Sequence, residues 1–566
     1  MELSMIKQTN LCQPTRLFLS IPHGQNPVEP NKTNELKRKE TRVEFLRRLR
    51  SIDNFSHIFG SVNLRSYQAE AARAIVKSVM EQKGLSFVIM FPRQSGKNML
   101  QAQLEVYLMS LLGQQGAEMV KLSPTYQPQS LNAMRRLETA LQQNYLTHNQ
   151  WQKSAGNHYR FKNAHLTFLS AAPGSNIVGA TASTMLALDE AQDISVSKYD
   201  KQIAPMAAST NATRVFWGTA WTGQTLLARE LRAAREAETR DGIRRVFRIG
   251  AEEVRREVPA YGLFVDEQIA RLGRSHPMVR SQFFSEEIDF SGGLFTPARL
   301  SLMQGNHPAC KLHQPGKQYA MLVDIAGEDE QARKEGFVSA ELNNLQNPGR
   351  DSTAVTVVEI DLSLLDDDLV GKPRYRVVQR YLWQGERHST LYQRLYHLSQ
   401  QWACQKVVVD ASGVGAGVCS FLRDKLGERV IPLVFNQQLK SRLGWGFLAV
   451  VDTGRFQDFR PSQHAHTEAG ALNPLAIQMA NEQDRLQYLF QRQLQALSCE
   501  VGIGPDKSIK WWVPEGTPDP IGGLLHDDLV ISAAMTAILD ELDWKPSFTP
   551  ALIQASDPLK EMDGGF

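Results

Sequence analysis

The sequence predicts an α/β protein made of two successive sheets, and three observations carry that reading. From about Asn54 to Gly250, apolar runs of strand length alternate with stretches of helical spacing: Ser86 to Phe91, Met119 to Ser123, Leu166 to Ser170, Met185 to Asp189, Arg214 to Gly218 and Arg244 to Ile249. Such alternation implies a mainly parallel sheet flanked by helices. After the Gly-rich stretch Phe290 to Pro297 the order changes: Tyr319 to Ile325, Ser352 to Ile360 and Arg374 to Trp383 follow one another as strands, then come a helix near Leu391 to Trp402 and a short buried strand, Lys406 to Val409. Finally, the residues with chemical character fall at the ends of these strands, where an α/β sheet places its ligands.

The first strand feeds Phe91-Pro92-Arg93-Gln94-Ser95-Gly96-Lys97-Asn98, and Leu100, Leu104, Leu108, Leu111 and Leu112 follow at helical spacing. A strand, a Gly-Lys loop and a helix together form a phosphate-binding loop. Backbone N–H groups at the helix start offer unpaired donors, Gly96 lets the backbone approach the anion, and Lys97 reaches the outer phosphates. The loop departs from the usual Gly-x-x-x-x-Gly-Lys-Ser/Thr pattern at both ends, with Phe91 for the first glycine and Asn98 for the hydroxyl that holds Mg²⁺. Alone it could equally be a basic turn capping a surface helix. Its companion lies about ninety residues on: Met185 to Leu188 is an apolar run ending in Asp189-Glu190, which places one acid on Mg²⁺ and one beside the attacking water. Val215 to Ala220 is another strand ending in a small hydroxyl residue, Thr219, suited to sensing a γ-phosphate. Upstream, Leu64-Arg65-Ser66-Tyr67-Gln68 precedes a helical pattern, and the Gln68 amide could read an adenine edge with Tyr67 stacking nearby; for Gln68 and Thr219 a capping role is an equal alternative.

In the later half, three antiparallel strands, a helix and a fourth strand outline a ribonuclease H-like core. Asp324 ends the first strand, Asp410 ends the fourth, and Asp527 and Asp528 open a helix running from Leu529 to Leu542. Three acids from separate elements can hold two divalent metals about 4 Å apart, as phosphodiester cleavage requires. Singly, each acid could be a helix cap or a turn residue; in order and at element boundaries, they read as a nuclease site. Asp351 and His526 are candidate accessories. Asp366-Asp367-Asp368 reads as a solvated hairpin loop, and Trp511-Trp512 as strand packing.

Composition bounds the rest. With 566 residues, 42% of them hydrophobic, the chain has room for two to four domains. The 63 Lys and Arg against 60 Asp and Glu leave a net charge of only +3, so any nucleic-acid contact comes from local patches rather than overall charge. The five cysteines (Cys12, Cys310, Cys404, Cys419, Cys499) show no paired or zinc-like spacing and read as reduced intracellular thiols. No apolar run is long enough to span a bilayer, and Leu17 to Pro22 is too short for a signal core, so a soluble, cytosolic protein is expected. The expected boundaries are a basic, partly flexible arm over 1–53, with the runs Lys37-Arg38-Lys39 and Arg47-Arg48-Leu49-Arg50; a nucleotide-binding domain over 54–285; a linker over 286–315; a nuclease domain over 316–545; and a flexible tail over 546–566.

These motifs together resemble the large terminase subunit of tailed bacteriophages. The resemblance rests on FPRQSGKN (Phe91 to Asn98), LSPTYQPQS (Leu122 to Ser130), LALDEAQDI (Leu186 to Ile194), WGTA (Trp217 to Ala220), VDIAG (Val323 to Gly327), VVVDASGVGAG (Val407 to Gly417) and HDDLV (His526 to Val530). It covers the chain from about Tyr67 to Leu542. It implies a RecA/ASCE-like P-loop ATPase domain followed by a RuvC/terminase-type nuclease domain. ATP would sit on Arg93, Gln94, Ser95, Gly96, Lys97 and Asn98, with Gln68 at the base, Asp189 on Mg²⁺, Glu190 as the catalytic carboxylate and Thr219 in the coupling motif. Asp324, Asp410 and an Asp of the 527/528 pair would bind the nuclease metals, Mg²⁺ or Mn²⁺. The implied work is packaging of double-stranded viral DNA into procapsids and cutting of concatemers. The implied partners are the small terminase subunit and the portal ring, on which several copies assemble, in the cytoplasm of a bacterial host. Two other classes stay open on the residues: a helicase or remodelling ATPase, and a repair or recombination nuclease with an inert ATPase domain.

Overall fold

The computed structural model describes residues 50–544 except 178, 291–292, 326–351, 366, 368–370, 385–387, 462–480, 503–506 and 520–522. Asp351, the 328–350 insertion, Cys12, most of the basic arm and the 546–566 tail lie outside the described residues.

Eight strands form the first sheet: β1 Ser86–Met90, β2 Ala117–Ser123, β3 Trp151–Ser154, β4 His158–Phe161, β5 Ala164–Ser170, β6 Met185–Leu188, β7 Thr213–Gly218 and β8 Val246–Arg248. Their order is β3-β4-β5-β2-β6-β7-β1-β8. The six strands β5 to β8 in that order pair in parallel, and only the β3 and β4 edge is antiparallel. Residues of β1 alternate between two apolar layers, Phe87 and Ile89 facing one and Val88 and Met90 the other, so the strand is buried on both faces. That is why its sequence reads as an unbroken apolar run. Because β7 lies between β1 and β6, the loop after β1 and the acids after β6 flank the end of β7, where Thr219 sits.

The second sheet runs β13-β12-β9-β10-β11-β14, from β9 Gln318–Asp324, β10 Ser352–Asp361, β11 Arg374–Gln384, β12 Lys406–Asp410, β13 Val430–Leu433 and β14 Phe456–Gln457. β10 is antiparallel to β9 and β11, whereas β12 is parallel to β9 with Val409 opposite Val323. That register sets Asp410 and Asp324 side by side at the ends of neighbouring strands. The expected long helix after Asp528 is two shorter ones, Asp528–Ala534 and Thr536–Asp540. The first packs on the sheet, where buried Ser532 Oγ donates to Leu322 O at 2.9 Å and shares a 2.9 Å bond with Thr356 Oγ1.

Between the sheets, three helices, Ala251–Glu257, Pro259–Leu272 and Pro277–Phe284, complete the first core. The stretch expected as linker carries a helix, Pro297–Leu302, and its neighbours Leu294, Phe295 and Met303 are buried in the second core. Arg299 on this helix makes a buried two-point ion pair with Asp452, Nε to Oδ1 at 2.7 Å and Nη2 to Oδ2 at 2.9 Å, and donates to Leu294 O. Paired and hydrogen-bonded, both charges tolerate the loss of water; either one alone would not. Gly273, at φ +87°, lets the chain pass Asp452 where a Cβ would come within 2.8 Å of that residue's backbone.

The seam between the halves is aromatic. His276 caps the helix Pro277–Phe284 by accepting from Met278 N through Nδ1, which leaves Nε2 to donate to Trp445 O at 3.2 Å. The Trp445 ring lies 6.3 Å from that of Trp221. Burial pushes the His276 pKa down to about 4, opposed by Asp452 and reinforced by Arg299 and Arg271. Since the unfolded imidazole titrates near 6.5, the folded state binds fewer protons between those values. This contribution to stability is therefore complete above about pH 6.5 and is lost as the pH falls toward 4, a change on the order of 3 kcal/mol. Thermal melts from pH 7 to 4.5 should show this slope. His276→Asn, which can still cap, should flatten it; identical slopes in both proteins would refute the assignment.

Candidate functional site

The loop after β1 and the acids after β6 meet in a cleft of about 510 Å³ lined by Arg93, Gln94, Gly96, Lys97, Asn98, Asp189, Glu190 and Thr219, among others. The loop's shape is set from beneath. Tyr67 Oη and Arg65 Nη1 donate to Ser95 O at 2.7 and 2.6 Å, and Gln68 Nε2 donates to Gly96 O at 3.1 Å. Gln68 Oε1 accepts from Arg65 N, and Gln68 is buried behind the loop. Gln68 thus takes the capping role held open as its alternative and braces the loop, while Tyr67 packs edge-on against Phe91 at 5.3 Å. Ser95 is likewise turned inward, its Oγ and its main-chain N both donating to Pro92 O, at 2.6 and 3.3 Å. Phe91 fills the core where the usual motif has glycine, and Gly96, at φ +91°, takes the turn into the helix Lys97–Leu112.

Lys97 Nζ donates to Glu190 Oε1 at 2.6 Å. Burial pulls against both charges, but the pairing prevails, holding the Lys97 pKa above and the Glu190 pKa below their ordinary values. Gln101 Nε2 donates to Asp189 Oδ1 at 2.9 Å and fixes the second acid. Asn98 Oδ1 is shut off from solvent and accepts no hydrogen bond. A buried acceptor left in this state, in a cleft that also presents Asp189, suits a hard cation with oxygen ligands, so the residues present fit Mg²⁺. Arg93 is held by Gln282 through its main-chain N at 2.8 Å and its guanidinium at 3.3 Å.

Sequence reasoning missed Gln192. Its Nε2 donates to Glu190 Oε2 at 2.7 Å and its Oε1 accepts from Thr219 N at 3.2 Å, so one buried amide ties the catalytic-type carboxylate to the end of β7. Nothing in the pattern marks it out, since an exposed glutamine in a short turn reads the same. Lys507, from the second half, also lines the cleft and was not foreseen.

In the second sheet the four acids gather at the ends of β9 and β12. Asp324 is half-buried and its pKa is raised well above the ordinary value, first by desolvation and then by the charges of Asp528, Asp410 and Asp527, with Lys440 opposing. Asp410 is also raised by burial. Like charges crowded away from water are the condition that a divalent cation relieves, and an all-oxygen donor set suits Mg²⁺. Yet among the described residues no three His, Cys, Asp or Glu side chains close tightly enough to hold an ion as they stand. The three neighbours of Asp324 are each engaged elsewhere: Asp410 Oδ1 accepts from Ser412 N at 2.8 Å, Asp528 Oδ2 from Ser352 N at 3.1 Å, and Asp527 pairs with Lys440 Nζ at 3.0 Å. The expected triad is thus brought to one end of the sheet, but as separate carboxylates rather than a closed cage.

No family model matches the chain, and no curated protein matches it. Among solved structures, it is similar to the large terminase of a thermophilic bacteriophage, at 12% identity over 70% of this chain and 88% of that one, with a TM-score of 0.37. It is also similar to the large terminase of bacteriophage HK97, at 12% identity over 87% of this chain and 99% of that one, with the same TM-score. A third is the large terminase nuclease of the thermophilic phage G20c with bound magnesium, at 15% identity over 44% of this chain and 97% of that one, with a TM-score of 0.27.

The Gln192 bridge generates a prediction. Gln192→Ala should lower the turnover of any nucleoside triphosphate hydrolysed in this cleft by about 10- to 100-fold, because a carboxylate that loses its second tether no longer holds one orientation. The KM should stay within a few-fold, since Lys97 and the loop are untouched. Steady-state kinetics would show a parallel rise in KM instead if Gln192 served only to shape the pocket.

Proposed function

We propose that this chain is a large terminase subunit: an ATP-driven translocase of double-stranded viral DNA with a metal-dependent endonuclease in its second half. One observation carries the reading. A single chain joins a phosphate loop whose lysine is held by a strand-end carboxylate to a ribonuclease H-like sheet whose strand ends crowd four acids.

In the first half, the loop N–H groups and Lys97 receive the phosphates of ATP, and Arg93 stands at the mouth of the cleft. To do so Lys97 exchanges Glu190 for phosphate oxygens. Glu190, still held through Oε2 by Gln192, is then free to accept a hydrogen bond from the attacking water and orient it in line. Mg²⁺ on Asn98 and Asp189 would supply charge neutralisation at the phosphate oxygens. The Gln192 to Thr219 bond passes any shift of the carboxylate to the end of β7, where a DNA-gripping surface can feel it.

In the second half, Asp324, Asp410 and Asp527 or Asp528 would hold the nuclease metals. Mg²⁺, or Mn²⁺ in its place, would supply a water nucleophile and stabilise the leaving oxygen. Asp324 is the acid in most need of a cation, and Lys440 pairs with Asp527 beside it. The working partners follow from the reading: a small terminase subunit that selects DNA, and the portal vertex of a procapsid in the bacterial cytoplasm, where several copies form a ring.

Purified protein should hydrolyse ATP steadily, with turnover at least about a hundredfold lower in Lys97→Ala and in Glu190→Ala. Plasmid cleavage with Mg²⁺ should disappear in Asp324→Ala and Asp410→Ala while ATP turnover persists. Unchanged cleavage in both variants would remove the nuclease assignment, and ATP-dependent strand separation in place of duplex uptake by procapsids would replace the translocase with a helicase.

A further inference from the structure

Among the described residues lining the nucleotide cleft, Lys507 alone comes from the second half of the chain. It precedes β16 Ile509–Trp512, which pairs antiparallel with β15 Ser498–Val501 in a small hairpin sheet. The seating of this hairpin is specific. Trp445 Nε1 donates to Lys507 O at 3.0 Å, Trp221 Nε1 donates to Gly502 O at 3.4 Å, and Ile509 N donates to Ser441 Oγ at 3.0 Å. Trp221, two residues beyond Thr219, is buried, and its ring carries the Lys507 ammonium at 4.0 Å.

That ammonium is in an unusual state. Nζ is shut off from solvent and donates no hydrogen bond, so three N–H groups are unspent. Asp193 and Glu190 attract it, whereas Lys97 and Arg93 repel it. A desolvated cation with idle donors is costly unless a partner arrives. The aromatic face of Trp221 holds it from one side and leaves the donors for the cleft. Glu190 is the acid that orients water toward a terminal phosphate, so a cation drawn to Glu190 and Asp193 faces that same phosphate.

We infer that Lys507 is a second phosphate-contacting lysine, supplied in cis by the nuclease half, which binds the terminal phosphate of a nucleoside triphosphate and makes nucleotide binding and seating of β15 and β16 reinforce one another. The inference rests on reading the cleft as an ATP site. Its reciprocity is thermodynamic: if the seated hairpin tightens nucleotide binding, the nucleotide must tighten the seating by the same factor. ADP, which lacks the terminal phosphate, gains nothing from Lys507.

The test uses the full chain, with a slowly hydrolysed ATP analogue and ADP titrated in parallel. Lys507→Asn removes the cation while tolerating the backbone, which lies at φ 44°. It should weaken binding of the analogue about tenfold, the worth of a charged hydrogen bond, and leave ADP within about twofold. Lys507→Arg should recover most of the loss. In the unaltered chain, the analogue but not ADP should slow amide exchange in β15 and β16, a measurement that needs no variant. Equal effects on both nucleotides, or exchange indifferent to the analogue, would overturn the role of Lys507 while a loss of binding in Lys97→Ala still upheld the ATP site. Undiminished analogue binding in Lys97→Ala would remove both.

Discussion

The 2.6 Å pair between Lys97 and Glu190 is the contact around which the first half is arranged. Both groups are largely withdrawn from water, and each would be expensive alone. The surrounding structure exists to keep them in register: Tyr67, Arg65 and Gln68 fix the loop that aims Lys97, and Gln192 fixes the carboxylate that answers it. Glu190 itself sits at φ 48°, a left-handed conformation that a bulky side chain adopts at a cost of about 1–3 kcal/mol. The strain turns the carboxylate back across the end of β7 to meet the lysine. A phosphate that takes Lys97 away therefore releases a positioned acid rather than a floppy one.

The two sites handle charge in opposite ways. The cleft after β1 sets a cation on its acid, Lys97 on Glu190. The end of the second sheet crowds Asp528, Asp410 and Asp527 around Asp324, with Lys440 set against them. A cleft meant for an anionic polyphosphate needs cations it can spare, whereas a cleft meant for metal ions needs unspent carboxylates. The contrast is visible without any ligand, in which pKa values move and why.

How much of this was legible beforehand follows from the same physics. Strands buried on both faces announce themselves as apolar runs, so β1, β6, β7, β9, β10 and β12 could be read within a residue or two, and β11 was read as closely from its alternation of buried and half-buried residues. The β3 and β4 hairpin could not: Gln152, Lys153 and Ser154 face solvent at the sheet edge and carry no apolar pattern. Motif residues stood out because their chemistry is tied to local spacing. Gln68 stayed open between two roles because an amide two elements away from a loop reads the same whether it faces a ligand or braces the backbone. Gln192 and Lys507 escaped notice for a related reason, since each is completed by a residue far off in sequence, Thr219 for Gln192 and Trp221 for Lys507.

The helix Gln437–Asp452 shows how those distant contacts join. Near its start, Lys440 pairs with Asp527 and its carbonyl accepts from Trp511 Nε1 at 2.9 Å. In its middle, Trp445 holds the backbone of Lys507 and accepts from His276; at its end, Asp452 holds Arg299. Sixteen residues of helix span about 24 Å and behave as a rigid rod. A rod fixed at three points cannot shift at the nucleotide cleft without shifting at the nuclease acids. The seam between the halves is therefore not a passive boundary: one helix touches both the residue that reaches the cleft after β1 and an acid of the second sheet.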